Sequence, residues 1–225
     1  MRRTTGILFV VAAVSFAVAA SVLSATFDWP DILREPAGKV LTEYAEGGTG
    51  LTWTWFATAW TYGLLAIPIL MLPQAIKQPL RIATALGAAS VLLSLIGFLR
   101  WVFVVPPLAR EHADGDPTAA AAWTAQHQFG GALLGEHLGQ LLAIAWSVSV
   151  SVVVLRTRAL PRWIGWMGLA ASVLYFANQG DVLATAFPGF PVWDAAGLLG
   201  STAWGLWTIA LGVGLYLQRS LSHVE

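Results

Sequence analysis

The chain has 225 residues, 57% hydrophobic and 11% charged, with no cysteine and 12 Lys+Arg against 12 Asp+Glu. A soluble domain is about one quarter charged, and no Ser- or Gln-rich tract makes up the shortfall, so a soluble globular fold and a disordered chain are both excluded. Zero net charge argues against a nucleic-acid partner, and zero cysteine removes disulfides, thiolate nucleophiles, Cys-ligated zinc and iron–sulfur clusters.

In chain order, charge-poor stretches predict six membrane spans, at residues 5–27, 51–76, 81–107, 129–155, 162–184 and 195–218. A helix needs about 20 residues to cross the hydrocarbon, and each stretch is long enough. The first follows Arg2 and Arg3 like a secretory leader, but its apolar run exceeds the roughly 7–15 residues of a leader core and reads as a retained span. Pro68 in the second predicts a kink rather than an end. The expected fold class is an all-α polytopic transmembrane bundle, a single domain over residues 1–225, and its first partner is the lipid bilayer.

Between the first two spans, Pro36 opens a predicted helix on which Val40, Leu41 and Tyr44 share a face and which Gly47 and Gly48 end. Between the third and fourth, Asp116-Pro117 supplies an N-cap and a first-turn proline, and the alanines behind them predict helix up to Gly130-Gly131. Both segments read as short amphipathic helices packed on the outer surface.

Six spans place both termini on one side. Arg2, Arg3, Lys77, Arg81, Arg156, Arg158, Arg162 and Arg219 fall in the terminal and even-numbered loop segments, which predicts that these are cytoplasmic. The opposite loops hold Asp28, Asp31, Glu35, Glu43, Glu46, Glu111, Asp114, Asp116 and Asp194 against Arg34, Lys39 and Arg110. An Arg-, Ala- and Gly-rich composition suggests a high-GC bacterium, so the expected membrane is the bacterial inner membrane. The string Ala-Ala-Ser-Val-Leu recurs at residues 19–23, 88–92 and 170–174, but in spans this rich in Ala, Val and Leu coincidence is the better account.

Charges inside the spans carry the functional signal. Arg100 and Glu136 lie at similar depth, and an isolated intramembrane charge is costly, so the sequence predicts an Arg100–Glu136 contact. On the fourth span Gly131, Gly135 and Gly139 form a stripe for close helix packing. At about 100° per residue, Glu136 and Gln140 flank that stripe, His137 follows beyond Gln140, and His127 points away from Glu136. On the fifth span Tyr175, Asn178 and Asp181 share a face, with Gln179 beside it. Thr54, Thr58, Thr61, Ser201 and Thr208 read as packing, and Asp194 as an N-cap. Trp29, Trp53, Trp55, Trp101, Trp163, Trp166 and Trp193 read as interfacial belts, and Trp60, Trp146, Trp204 and Trp207 as deeper residues for which packing is the first account.

Three strings carry a resemblance: Thr26-Phe27-Asp28-Trp29-Pro30-Asp31-Ile32-Leu33-Arg34-Glu35-Pro36, Arg100-Trp101-Val102-Phe103-Val104-Val105-Pro106, and Gly135-Glu136-His137-Leu138-Gly139-Gln140. They resemble a family of bacterial six-span integral membrane proteins known only as a domain of unknown function. The resemblance covers most of the chain and implies fold and location, with no activity.

The leading functional expectation is an outward-facing intramembrane polar cavity, lined by Arg100, Glu136, His137, Gln140, Tyr175, Asn178 and Asp181, that binds or transports a small amphiphilic or charged molecule, with proton linkage open. A structural or regulatory protein with a purely structural ion pair is the alternative. So is a membrane enzyme acting on a lipophilic substrate by acid catalysis, terpene-cyclase-like by analogy, with Glu136 and Asp181 as candidate acids. No metal site and no cofactor are expected, because His127 and His137 on one helix cannot clamp a haem and Glu136 and His137 diverge by about 100°. The oligomeric state is left open.

Overall fold

A chain with continuous apolar runs of about 20 residues satisfies its backbone in lipid by forming helices. The computed structural model describes residues 1–218, and among them it contains helices and turns but no strand. Helix α1 (Arg2–Phe27) ends at Asp28 in a left-handed conformation, and a 3-10 turn over Asp31–Arg34 follows. Helices α2 (Ala37–Gly63) and α3 (Ala66–Ile76) form one long rod that bends twice. The first bend is at Gly48, whose φ of 55° a residue with a side chain rarely adopts. The second is at Leu64–Leu65, where Pro68 lacks the N–H that would bond to the Leu64 carbonyl and crowds that oxygen. This is the kink expected of Pro68.

Helix α4 (Arg81–Phe103) breaks at Val104, and Pro106 and Pro107 take the first turn of α5 (Val105–Ala113). The Asp116 carboxylate accepts from the Thr118 N–H and hydroxyl at 2.8 and 2.7 Å, which holds its pKa below the ordinary value and opens the turn into α6 (Ala119–Gln126). A π-helical stretch, His127–Leu138, then leads into α7 (Gly139–Thr157). Among the described residues, five helical rods are long and apolar enough to cross a membrane: Arg2–Phe27, Ala37–Ile76, Arg81–Ala113, Ala119–Thr157 and Ala196–Leu217.

The predicted fifth span is divided instead. Helix α8 (Arg162–Ala177) has 16 residues, and α9 (Gln179–Ala184) begins after Asn178. At about 1.5 Å per residue α8 is roughly 24 Å long, short of a typical hydrocarbon core. The break falls where Asn178, Gln179, Gly180 and Asp181 weaken the helix and where two side-chain amides turn toward α7. Helix α10 (Ala196–Leu217) is capped by Ala195 without a side-chain bond, so the N-cap expected of Asp194 is not made.

The rods close into a ring in which α1 packs on α2, α2 on α4, α4 on α7 and the π stretch, α7 on α8, α8 on α10, and α10 back on α1. Glycine sets a close crossing of α4 on the π stretch. A Cβ on Gly97 would stand 2.9 Å from the Gly135 Cα, so the backbones of α4 and the π stretch touch, and the expected glycine stripe is the contact surface. The outside is apolar too: Ile7, Val11, Val14, Val18 and Val22 form an exposed stripe along α1, as lipid-facing helices require.

Two apolar clusters fill the ring. One holds Phe9, Tyr62, Trp146, Trp204 and Trp207, with the Trp204 indole donating to Ser147 and that of Trp207 to the Ile164 carbonyl. The other gathers Phe27, Ile32, Leu41, Tyr44, Trp55, Trp101 and Trp123. Here the sequence reading needs correction. Trp55 and Trp101 are not belt residues but buried partners stacked 4.6 Å apart, because the helical turns before Gly48 fold over them and seat Tyr44 on Trp101. Trp60, read as deep, is half exposed on the outside of the ring.

Candidate functional site

The acidic loops and the basic loops lie at opposite ends of the bundle, and a polar cluster sits just inside the acidic end. Its centre is Arg34, the last residue of the 3-10 turn. The Arg34 Nε donates to Asp181 Oδ1 and Oδ2 at 3.2 and 3.0 Å. Its Nη2 donates to Asp181 Oδ2 and to Glu136 Oε2, each at 2.6 Å. One guanidinium thus bridges carboxylates from α9 and the π stretch, the planar two-sided recognition for which arginine is suited. Burial opposes the Arg34 charge, but the two carboxylates outweigh it and raise its pKa above the ordinary value, so this group is a permanent cation.

Arg100 does not pair with Glu136, contrary to the sequence expectation; the ion pairs of Glu136 and Asp181 are both made by Arg34. Arg100 instead folds back along its own helix. Its Nη1 donates to the Gly97 carbonyl, its Nη2 lies 3.3 Å from His127 Nδ1, and its guanidinium carbon sits 5.1 Å from the centre of the Trp101 ring. The guanidinium occupies the space beside Gly131, where a Cβ would stand 2.5 Å from Nη2. Of the buried side-chain polar atoms without a partner among the described residues, two belong to this cluster: Arg100 Nε, on a residue 8% exposed, and Glu136 Oε1.

A second layer is built from one imidazole and three amides. His137 Nδ1 lies 2.7 Å from Gln179 Oε1, while the amides of Gln179 and Asn178 donate to Gln140 Oε1 at 2.8 and 3.1 Å. Gln128 and Thr185 tie the π stretch to the segment after α9 through two further bonds, at 3.0 and 3.3 Å. Of the seven residues expected to share a surface, Glu136, Asp181, His137, Gln140 and Asn178 are drawn into these two layers. Arg100 stands beside them with His127, which the angular argument had set aside. Tyr175 packs against Trp204 in the apolar core and makes no hydrogen bond within the cluster.

Sequence reasoning missed Arg34, Gln128 and Thr185, and demoted His127. Counting partners only within spans excluded a loop arginine from pairing with an intramembrane acid. The signal available was its setting, a lone base between Pro30 and Pro36 in a loop too short to carry it far from the membrane. A π-helix bonds i to i+5, so the 100° spacing of an α-helix does not hold across His127–Leu138 and His127 is turned to a side that spacing does not give.

Over residues 4–212 the chain matches the model of a family described as a domain of unknown function (DUF4386). No curated protein and no solved structure matches it.

Proposed function

The chain belongs to the family described as a domain of unknown function (DUF4386), and from that premise we propose that it is a six-span protein of the bacterial inner membrane whose polar cluster faces outward and binds or transports a small polar or charged molecule. The sixth crossing in this reading is α8 continued through Asn178 into α9, which completes the ring of six rods. The excess of Lys and Arg in the loops at the end holding both α1's start and α10's finish supports cytoplasmic termini.

The observation that carries the binding reading is the pair of orphan atoms. Arg100 Nε is a buried donor and Glu136 Oε1 a buried acceptor, and each unsatisfied group in a low-dielectric interior is costly. A molecule presenting an acceptor and a donor would satisfy both. Arg100, Glu136 and Asp181 would hold it, with His137, Gln140 and Asn178 fixing the helices around it.

The second reading, a purely structural cluster, draws on the Arg34 bridge, which already occupies three of the four carboxylate oxygens of Glu136 and Asp181. One experiment separates the two: purification from native membrane, with mass spectrometry of whatever co-purifies with the wild type and with Glu136→Gln. The binding reading expects a polar small molecule on the wild type that is absent from a folded Glu136→Gln variant. No molecule on either protein, with the variant only less stable, establishes the structural reading.

A further inference from the structure

At the end opposite the Arg34 cluster, every charged side chain among the described residues is a cation: Arg2, Arg3, Lys77, Arg81, Arg156, Arg158 and Arg162. A groove of about 530 Å³ opens there between the start of α8 and the finish of α10, lined by Arg158, Leu160, Arg162, Trp163, Val213 and Leu217 among others. Arg2 reaches the loop that forms its rim, donating from Nη2 to the Ala159 carbonyl at 3.2 Å, while its Nε is buried without a partner.

The two kinds of surface in this groove are adjacent. Arg158 and Arg162 are exposed at its mouth, while Trp163, Val213 and Leu217 offer exposed apolar area along its wall. Arg158 also holds a left-handed backbone with φ 55°, a conformation open to Gly or Asn without comparable strain. Because the flanking helices are apolar, the groove's mouth lies where the hydrocarbon gives way to headgroups, the level at which Trp and Arg collect.

We propose that this groove binds an anionic phospholipid, with the phosphate between Arg158 and Arg162 and an acyl chain along Val213 and Leu217. A zwitterionic lipid brings its own cation to an end whose described charged side chains are all cations, and is disfavoured. Free phosphate uses the arginines but leaves the apolar wall bare. The site is separate from the Arg34 cluster and stands whatever that cluster does.

The test is native mass spectrometry of the full chain, delipidated and given equal amounts of phosphatidylglycerol and phosphatidylcholine with the same acyl chains. The wild type is expected to retain phosphatidylglycerol with a preference of roughly tenfold or more, at about one charge's attraction per arginine. The preference disappears in Arg158→Asn/Arg162→Gln, where Asn keeps the left-handed turn, and survives in Arg110→Gln, a control that removes a cation from the acidic end. Inorganic phosphate in large excess leaves the lipid bound. Equal retention of the two lipids, a preference that persists in the double variant, or displacement by inorganic phosphate overturns the proposal. Should the double variant fail to fold, Arg162→Gln alone is read for a roughly fivefold loss, and no loss overturns it.

Discussion

Arg34 illustrates how one residue reorganises a site. Without it, Glu136 and Asp181 would face each other as like charges near the membrane. With it, the turn after α1, the π stretch and α9 are joined by a single guanidinium. The three side chains are 17–34% exposed, so water screens them and the penalty for losing the cation is well below that of a fully buried pair. Arg34→Gln is expected to cost about 1–2 kcal/mol, read as a lowered melting temperature in detergent. Arg34→Gln combined with Asp181→Asn should recover part of the loss, because the second change removes one of the unpaired charges. Additive losses would mean that the bridge contributes no net coupling. The sequence held every participant in this cluster, but it ranked them by depth along a span, and depth says nothing about where a loop side chain reaches.

At the level of elements, hydropathy alone located the rods. Five of the six expected stretches lie in helices long and apolar enough to cross a membrane, and the kink at Pro68 and the stripe of Gly131, Gly135 and Gly139 were also legible. Two features were not. The π stretch arises where glycines weaken the regular helix and a neighbouring backbone presses close, and the break at Asn178 arises where amide side chains find partners on α7. Both are decided by the neighbour rather than by the local run of residues. The crossing of α4 on the π stretch gives a direct test. Gly97→Ala puts a methyl 2.9 Å from the Gly135 Cα, where only backbone can yield, and should destabilise by about 1–3 kcal/mol. Gly205→Ala, with nothing within 4 Å of its added Cβ, should instead be neutral or gain up to about 1 kcal/mol from helix propensity. Paired thermal melts decide it, and equal responses would refute the close crossing.

For the whole molecule, the separation of charge between the two ends is the dominant organising feature. It sets the expected orientation, and it supplies both the acidic end that receives Arg34 and the cationic end proposed to hold an anionic lipid. The chain contains no cysteine, so single introduced thiols report sidedness without background. Asp114→Cys should react with a membrane-impermeant maleimide on intact spheroplasts, and Thr157→Cys only after the membrane is opened; the reverse pattern would invert the topology.

Composition and hydropathy alone determined that this chain is an all-helical membrane protein, roughly where its rods run, and which rare polar residues had to be sheltered. They could do so because the lipid acts on each stretch of about 20 residues independently, so the information is local. Tertiary structure alone decided which charges pair. Glu136 meets Arg34 and not Arg100 because a folded loop, a π-helical turn and a glycine contact bring together residues about a hundred positions apart, and Coulomb pairing depends on that final distance rather than on the sequence interval.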